Sequence, residues 1–548
     1  LQKEKDNEVQ QIEKQYYSRI EPVLGQGLVG KLVACAGLDA CSPLVEMLAG
    51  CRLHRLAWVE PVKEGEQARQ LEQTLRHHNH LEQRWEFKGF SPEQVPDLLL
   101  VGGRVRTMLE GLELAEALQI PALFFGALPP AFRCKAFTLV CRPGMNLEKE
   151  RRFLESLPEV EALPEMEALT LVAAVAKALL LKGTAYSRQD YDYLFDELGR
   201  NLLLMGNEEW PWQVRFTRPD EKVKSLENSE VVVTPSVVPL QLKSKRVAIF
   251  GCGGLGSLIA KEFSRNGVEH FSLVDGGKVN IFHPVRQFFH SWQVGQAKVY
   301  ALAENLLESG VTYHHLPAAT GQPRLYQGSK TIAAYKLKLK DNWLDSLAKL
   351  VKGIKPDLVV VATGTDLDYY LAQALQRAGY PYLVARCYPR ARYFEIIFCL
   401  PDEPLPCFDC LRGHLYLGPQ ASLTEEEQAR YEPARAITLE AEPATLVETY
   451  RAAAVTSQIG LQMLRAERAG WFQALVGEGQ NCLIGANQTE QTAEGWAYGL
   501  RLPGQIAAFG QQQLFSLTTQ PHQCRTCGRL NQAVFTANLK QTATVSLV

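Results

Sequence analysis

No apolar run in this chain is long enough to cross a membrane. The longest, residues 169–181 (LTLVAAVAKALLL), falls short of a bilayer's span and carries Lys177, so it reads as a core helix. A charge excess is also missing: 58 Lys and Arg face 60 Asp and Glu, a net charge of −2, and no local basic cluster overturns that balance. General affinity for nucleic acid or for an anionic membrane is thereby excluded, and neither is an expected partner. The first residues show no signal-peptide pattern, although the chain opens on Leu1 rather than Met. A disulfide framework is excluded as well, because 13 cysteines in 548 residues sit mostly in apolar strands or CxxC pairs, and the expectation is a reducing cytoplasm. Residues 411–481 contain no cysteine at all. What remains is an ordinary globular composition over a length that calls for about two to four domains.

The most informative stretch is 243–299. Val247-Ala248-Ile249-Phe250 has no polar alternation and stops at glycine, as a buried parallel strand does. Gly251, Gly253, Gly254 and Gly256 then let the backbone turn tightly and approach a phosphate, and Ser257 lies at the start of a helix whose N–H groups attract anions. A second strand, Phe271-Ser272-Leu273-Val274, delivers Asp275, where an acid can bind ribose hydroxyls. A nicotinamide dehydrogenase would show the same order. Beyond Asp275, however, come His283, Arg286-Gln287 and Gly295-Gln296-Ala297-Lys298. Cations this close to a nucleotide fold suit a polyphosphate that is held and then cleaved, and a dehydrogenase has no bond there to break.

The first part of the chain echoes this pattern. Lys31-Leu32-Val33-Ala34-Cys35-Ala36-Gly37 repeats the rhythm of Lys245 to Gly251, and the strand ending at Glu60 repeats the one ending at Asp275. Pro96-Asp97-Leu98-Leu99-Leu100-Val101 corresponds to Pro356-Asp357-Leu358-Val359-Val360-Val361, and Pro121 and Pro381 follow these at the same interval. Residues 120–143 read like 380–401, and helical segments 166–181 and 445–464 close the two copies. At the glycine-loop position the first copy has Gly37-Leu38-Asp39-Ala40-Cys41-Ser42-Pro43. One glycine survives and an acid is introduced, so this copy should not hold a phosphate.

Between the copies, 184–242 reads as a helical segment followed by an extended, proline-bearing linker, and 320–345 as a locally basic insertion open to a partner. Residues 1–20 read as a surface helix. Cys407-Phe408-Asp409-Cys410 and Cys524-Arg525-Thr526-Cys527 form two CxxC pairs, which together complete a tetrahedral four-sulfur site with no open position, as structural zinc requires.

On the GxGGxGS loop, the following Asp, the Arg-Gln and the GxxK lysine, the chain resembles the ThiF/MoeB/ubiquitin-activating-enzyme superfamily. Gly277 stands where the family has a second Asp, His283 where it has Asn, and Leu367 where its CTDN-like turn has Asn. The resemblance implies an α/β fold with two Rossmann-like ThiF-type adenylation domains in tandem, a pseudo-dimer of mostly parallel sheets flanked by helices. A degenerate domain would span 1–183, the connecting stretch 184–242 and the active domain 243–548. ATP and magnesium would be bound by Gly251, Gly253, Gly254, Gly256, Ser257, Asp275, His283, Arg286, Lys298 and Asp366, with zinc on Cys407, Cys410, Cys524 and Cys527. Arg19, in a Tyr-Ser-Arg sequence, matches the arginine that the family sends into the partner domain's ATP site; Tyr186-Ser187-Arg188-Gln189 resembles the same opening. Each of these has a plainer reading: a solvated helix end for Arg19, surface charge for Arg286 and Lys298, a helix N-cap for Asp366.

The implied activity is adenylation of the C-terminal carboxylate of a small ubiquitin-like protein, with a conjugating enzyme as a further partner. A full activating enzyme would then pass the acyl group to its own cysteine, and Cys387 and Cys482 are the candidates, while Cys35, Cys141 and Cys399 read as core. Two other classes stay open: an adenylation-fold scaffold that presents a precursor peptide or protein to a partner enzyme, and a nicotinamide oxidoreductase, which leaves the Arg-Gln, the GxxK and the CxxC pairs unexplained.

Overall fold

The computed structural model describes residues 27–59, 86–91, 93–128, 134–158, 164–181, 200–206, 214–221, 242–307, 314–316, 323–328, 330–338, 344–365, 367–387, 391, 393–412, 444–487, 512–515, 522–524, 526–527 and 530–531. The first half builds an eight-stranded sheet from β1 (Leu32–Ala36), β2 (Arg55–Trp58), β3 (Glu86–Gly89), β4 (Leu98–Gly102), β5 (Ala122–Ala127), β6 (Ala136–Cys141), β7 (Leu202–Met205) and β8 (Val214–Thr217) in the order β3-β2-β1-β4-β5-β6-β7-β8. The run from β3 to β5 is parallel and the rest antiparallel. β1 and β4 are buried at every position, as unbroken apolar runs covered on both faces must be. The helices are α1 (Leu38–Ala49), α2 (Val105–Leu118), α3 (Glu148–Glu155) and α4 (Met166–Leu180). α2 buries Met108, Gly111, Leu112 and Ala115, one stripe at helical spacing, and ends where Gln119 turns left-handed at φ 53°.

The second half repeats that path. Its ten strands are β9 (Arg246–Phe250), β10 (His270–Val274), β11 (His314–Leu316), β12 (Arg324–Gln327), β13 (Thr331–Tyr335), β14 (Leu358–Val361), β15 (Tyr382–Cys387), β16 (Tyr393–Cys399), β17 (Cys482–Ala486) and β18 (Gln512–Phe515), ordered β11-β12-β13-β10-β9-β14-β15-β16-β17-β18. From β13 onward the order matches the first sheet strand for strand, including the switch to antiparallel at β16, and β11 and β12 add an antiparallel edge. The repeat seen along the sequence is therefore a repeat in space. Helices α5 (Gly254–Arg265), α6 (Lys298–Leu306), α7 (Leu344–Ile354), α8 (Leu367–Ala378), α9 (Phe408–Arg412), α10 (Leu446–Leu464) and α11 (Gly470–Gly477) accompany this sheet, and β19 (His522–Gln523) pairs with β20 (Leu530–Asn531). Among the described residues no helix is long and apolar enough to cross a membrane.

Three expectations differ from the structure. Leu202–Met205, within the stretch read as helical, is β7, and Val214–Thr217, read as linker, is β8; both extend the first sheet beyond residue 183. A short apolar run such as LLLM fits a strand or a helix equally, and only its pairing with β6 decides. Residues 331–335 lie inside the stretch read as an insertion, yet β13 pairs in parallel with β10 and is the counterpart of β3.

The halves meet through α4 and α10, both buried almost all round. One apolar cluster runs through them, with Leu44, Val172 and Val175 from the first half and Ile259, Ala453 and Val455 from the second. Each of the leucine, isoleucine and valine side chains contributes about 1.5–3 kcal/mol on burial. Polar pins cross the same seam: Lys177 pairs with the buried Glu448, Gln458 Nε2 donates to Glu165 at 2.8 Å, and Lys261 lies 3.6 Å from Glu46.

Candidate nucleotide and metal sites

The two glycine loops differ in length before they differ in charge. β1 ends at Ala36 and α1 begins at Leu38, so one glycine makes the whole turn, whereas three residues separate β9 from α5. Gly37 and Gly251 are both left-handed, at φ 74° and 92°. A Cβ would lie 1.9 Å from the Gly102 carbonyl oxygen in one case and 2.5 Å from that of Ala362 in the other, so these glycines are demanded by the turn itself. Gly256 serves packing: its Cβ would sit 1.8 Å from the Gly251 oxygen, so helix and loop touch through bare backbone. Gly253 is different. A Cβ there would meet nothing within 4 Å, and no side chain caps the helix that follows. The second loop therefore presents open backbone at an uncapped helix N-terminus, the setting in which N–H groups receive an anion.

Asp275, at the end of β10, ties this loop down. Its Oδ2 accepts the Cys252 N–H at 2.8 Å and its Oδ1 the Gly277 N–H at 2.6 Å. Lys298 opens α6, and its N–H donates to the Gly277 oxygen at 3.0 Å. A Cβ on Gly277 would lie 3.0 Å from Asp275 Oδ1 and 3.6 Å from Lys298 Cδ and Cε, so the chain passes close to both side chains there. Burial, and next the Asp275 carboxylate, hold the Cys252 thiol well above its ordinary pKa, with Lys298 pulling the other way. Loop, acid and lysine are thus brought together.

Other residues of the expected set shape the segment between β10 and α6. Ser257 is fully buried, and its hydroxyl accepts the Phe288 N–H at 3.1 Å. His283 is buried, its Nδ1 accepting the Asn280 N–H at 2.9 Å. Arg286 is buried and feels the Cys387 thiol. Arg19 and Asp366 lie outside the described residues, as do Tyr186 to Gln189.

Neither candidate thiol is activated. Desolvation pushes Cys387 up to about 12 against the opposing charge of Arg286. Cys482 is fully buried within β17, and burial, then Glu395, raises it well above the ordinary value. A thiol so held is inert at neutral pH. Cys35, Cys141 and Cys399 are buried in the core.

Two residues that the sequence reading missed hold the turn after β14: Asp368 in the first turn of α8 and Arg386 on β15. Asp368 is fully buried, and its Oδ2 accepts Arg386 Nε at 2.9 Å while its Oδ1 accepts the Thr363 N–H at 3.1 Å and the Thr363 hydroxyl. Desolvation raises the Asp368 carboxyl, and Arg386 and Thr363 oppose it. The available signal was a cation, Arg386, closing the apolar strand YLVARC one residue before Cys387.

The four cysteines of the CxxC pairs converge. Their sulfurs lie within 4.8 Å of one another, with Cys407 to Cys410 at 3.6 Å, Cys407 to Cys524 at 3.7 Å and Cys410 to Cys527 at 3.6 Å. A tetrahedral ion with bonds of about 2.3 Å needs sulfurs about 3.8 Å apart, so the set fits a four-thiolate zinc. Asp409 joins the two knuckles to the domain: Tyr369 OH donates to its Oδ1 at 3.0 Å and the Thr526 hydroxyl to its Oδ2 at 2.8 Å.

Residues 236–464 match the ThiF family. An uncharacterised protein, y4oA, of Sinorhizobium fredii is 27% identical over 177 residues, 32% of this chain and 28% of that protein. Ubiquitin-like modifier-activating enzyme 5 of Culex quinquefasciatus is 41% identical over 66 residues, 12% of this chain and 17% of that protein, and the Rattus norvegicus enzyme 39% identical over 69 residues, 13% and 17%. The chain spans less than a third of the length of these curated relatives. Among solved structures, E. coli MccB is 14% identical, with 73% of this chain and 95% of that one covered at a TM-score of 0.37. Residues 236–464 of this chain thus form a domain that matches the ThiF family.

Proposed function

We propose that the chain is an ATP-dependent adenylating enzyme that activates the C-terminal carboxylate of a small ubiquitin-like protein. The observation that carries this reading is the contrast between the loops: an open glycine loop backed by Asp275 and Lys298 in the second half, and a closed single-glycine turn in the first. The division on this reading is a degenerate unit over 1–183, a connecting stretch 184–242 that lends β7 and β8 to its sheet, and a working unit over 243–548.

The carboxylate oxygen attacks the α-phosphorus of ATP, the bond to the pyrophosphate oxygen breaks, and an acyl adenylate forms. Loop N–H groups at Gly253 and Gly254, with Arg286 and Lys298, hold phosphate oxygens as negative charge shifts to the leaving group. Asp275 keeps lone pairs beyond its two N–H bonds for a ribose hydroxyl. His283 and Ser257 shape the wall beside the loop. Asp366 would hold the magnesium that comes with ATP, which would neutralise phosphate charge, and Arg19 of the degenerate unit would supply a further positive charge to the phosphates. Cys407, Cys410, Cys524 and Cys527 would hold a structural zinc that would tie the C-terminal knuckle to the domain.

The raised Cys387 and Cys482 and the cysteine-free 411–481 favour a reaction that stops at the adenylate, with any thioester or conjugating step carried by a partner. The thirteen free cysteines suit a reducing cytoplasm. ATP–pyrophosphate exchange with candidate small proteins tests the reading. Exchange without a thiol-labile adduct is the expected result. Its absence, with peptide binding retained, would replace the enzyme by the presenting scaffold.

A further inference from the structure

The turn after β14 is held from two sides. Toward the loop, the Ala362 N–H donates to Phe250 O at 2.8 Å, and a Cβ on Gly251 would lie 2.5 Å from Ala362 O and 2.8 Å from Thr363 N. On the other side, Thr363 donates to Asp368, and Asp368 receives Arg386 Nε at 2.9 Å. Arg386 Nη2 also donates to Thr365 O at 3.4 Å, and its guanidinium lies 5.3 Å above the Phe408 ring. Phe408 sits between Cys407 and Asp409, and Asp409 takes the hydroxyls of Tyr369 on α8 and of Thr526 in the second knuckle. A continuous path therefore leads from the cysteine knuckles through Phe408, Arg386, Asp368 and Thr363 to Gly251.

We propose that Arg386 is a positioning residue that presses the 363–365 turn against Gly251, so that the metal knuckle sets the shape of the glycine loop. The proposal rests on the reading of that loop as the ATP site. Arginine suits the place because one planar group bonds a carboxylate, bonds a carbonyl and covers an aromatic face together, whereas lysine offers a point charge. With Arg386 removed, Asp368 would be a buried carboxylate facing only Thr363, and the turn would move to rehydrate it.

The test compares Arg386→Gln and Arg386→Lys with the wild type by zinc content per chain, melting temperature, Kd for magnesium-ATP by calorimetry, and the split between KM and kcat in pyrophosphate exchange. Both variants should keep one zinc, with the Kd rising about tenfold for Gln, less for Lys, and KM moving more than kcat. Chelation of zinc from the wild type should raise the Kd in the same way. A purely structural Arg386 would lower the melting temperature and leave the Kd alone, so a Kd within twofold of wild type in Arg386→Gln overturns the proposal. Should that variant fail to fold, an unchanged Kd in Arg386→Lys does the same. A wild type that binds no magnesium-ATP refutes the function first and this proposal with it.

Discussion

Two glycines in one loop should respond oppositely to the same methyl group. At Gly253 a Cβ meets nothing within 4 Å, and φ is −87°, outside the left-handed region that favours glycine. Alanine is a poorer N-cap than glycine by up to about 1 kcal/mol, which the reduced freedom of the unfolded chain offsets by about 0.4–1 kcal/mol. Gly253→Ala should therefore melt within about 4 °C of wild type. The methyl group fills the space left for phosphate, so the Kd for ATP should rise about tenfold, or about 1.4 kcal/mol, and further for Gly253→Val. At Gly256 the Cβ would sit 1.8 Å from the Gly251 oxygen, and helix and loop must separate. Gly256→Ala should cost about 3 kcal/mol or more and lower the melting temperature by about 3–5 °C or more. Calorimetric ATP titration paired with scanning fluorimetry reads both effects. A Gly253→Val protein that binds ATP within twofold of wild type would refute the reading of the loop, and a Gly256→Ala protein melting like wild type would refute the packing argument.

Three further outcomes are expected. Cys410→Ser should abolish zinc retention, measured by metal release to a colorimetric chelator, and expose the 524–527 knuckle to proteolysis; one zinc per chain retained would contradict the four-thiolate site. Lys177→Met strands the buried Glu448 carboxylate and should destabilise the chain by about 3–5 kcal/mol in urea unfolding, with Lys177→Met/Glu448→Gln recovering much of the loss. Glu150 is buried with one hydrogen bond from Asn201 at 3.1 Å, and desolvation raises its pKa above the ordinary carboxylate value. The folded state keeps that proton longer than the unfolded chain, so the stability from Glu150 is complete below the unfolded pKa and falls as pH rises through the folded one. Glu150→Gln should flatten the fall in stability as pH rises above the ordinary carboxylate pKa, and an unchanged slope in denaturant melts would remove Glu150 as its cause.

Sequence alone determined what depends on neighbours along the chain. The strand-glycine-helix unit at 246–265, the acid at 275, the lysine at 298 and the two CxxC pairs were legible because their chemistry is written at fixed short spacings. The duplication was legible too, since both copies keep the same strand and proline intervals. Tertiary structure decided the rest. β7, β8 and β13 are short runs whose identity comes only from the strands beside them. The missing loop residues before α1, which close the first turn, were masked by an aligned glycine whose helix begins two residues earlier than its twin's. The contacts of Asp368 with Arg386, of Arg386 with Phe408, and of Lys177 with Glu448 join residues 18, 22 and 271 positions apart. No local propensity carries such pairs, because a buried charge is stable only where the fold has already delivered its partner.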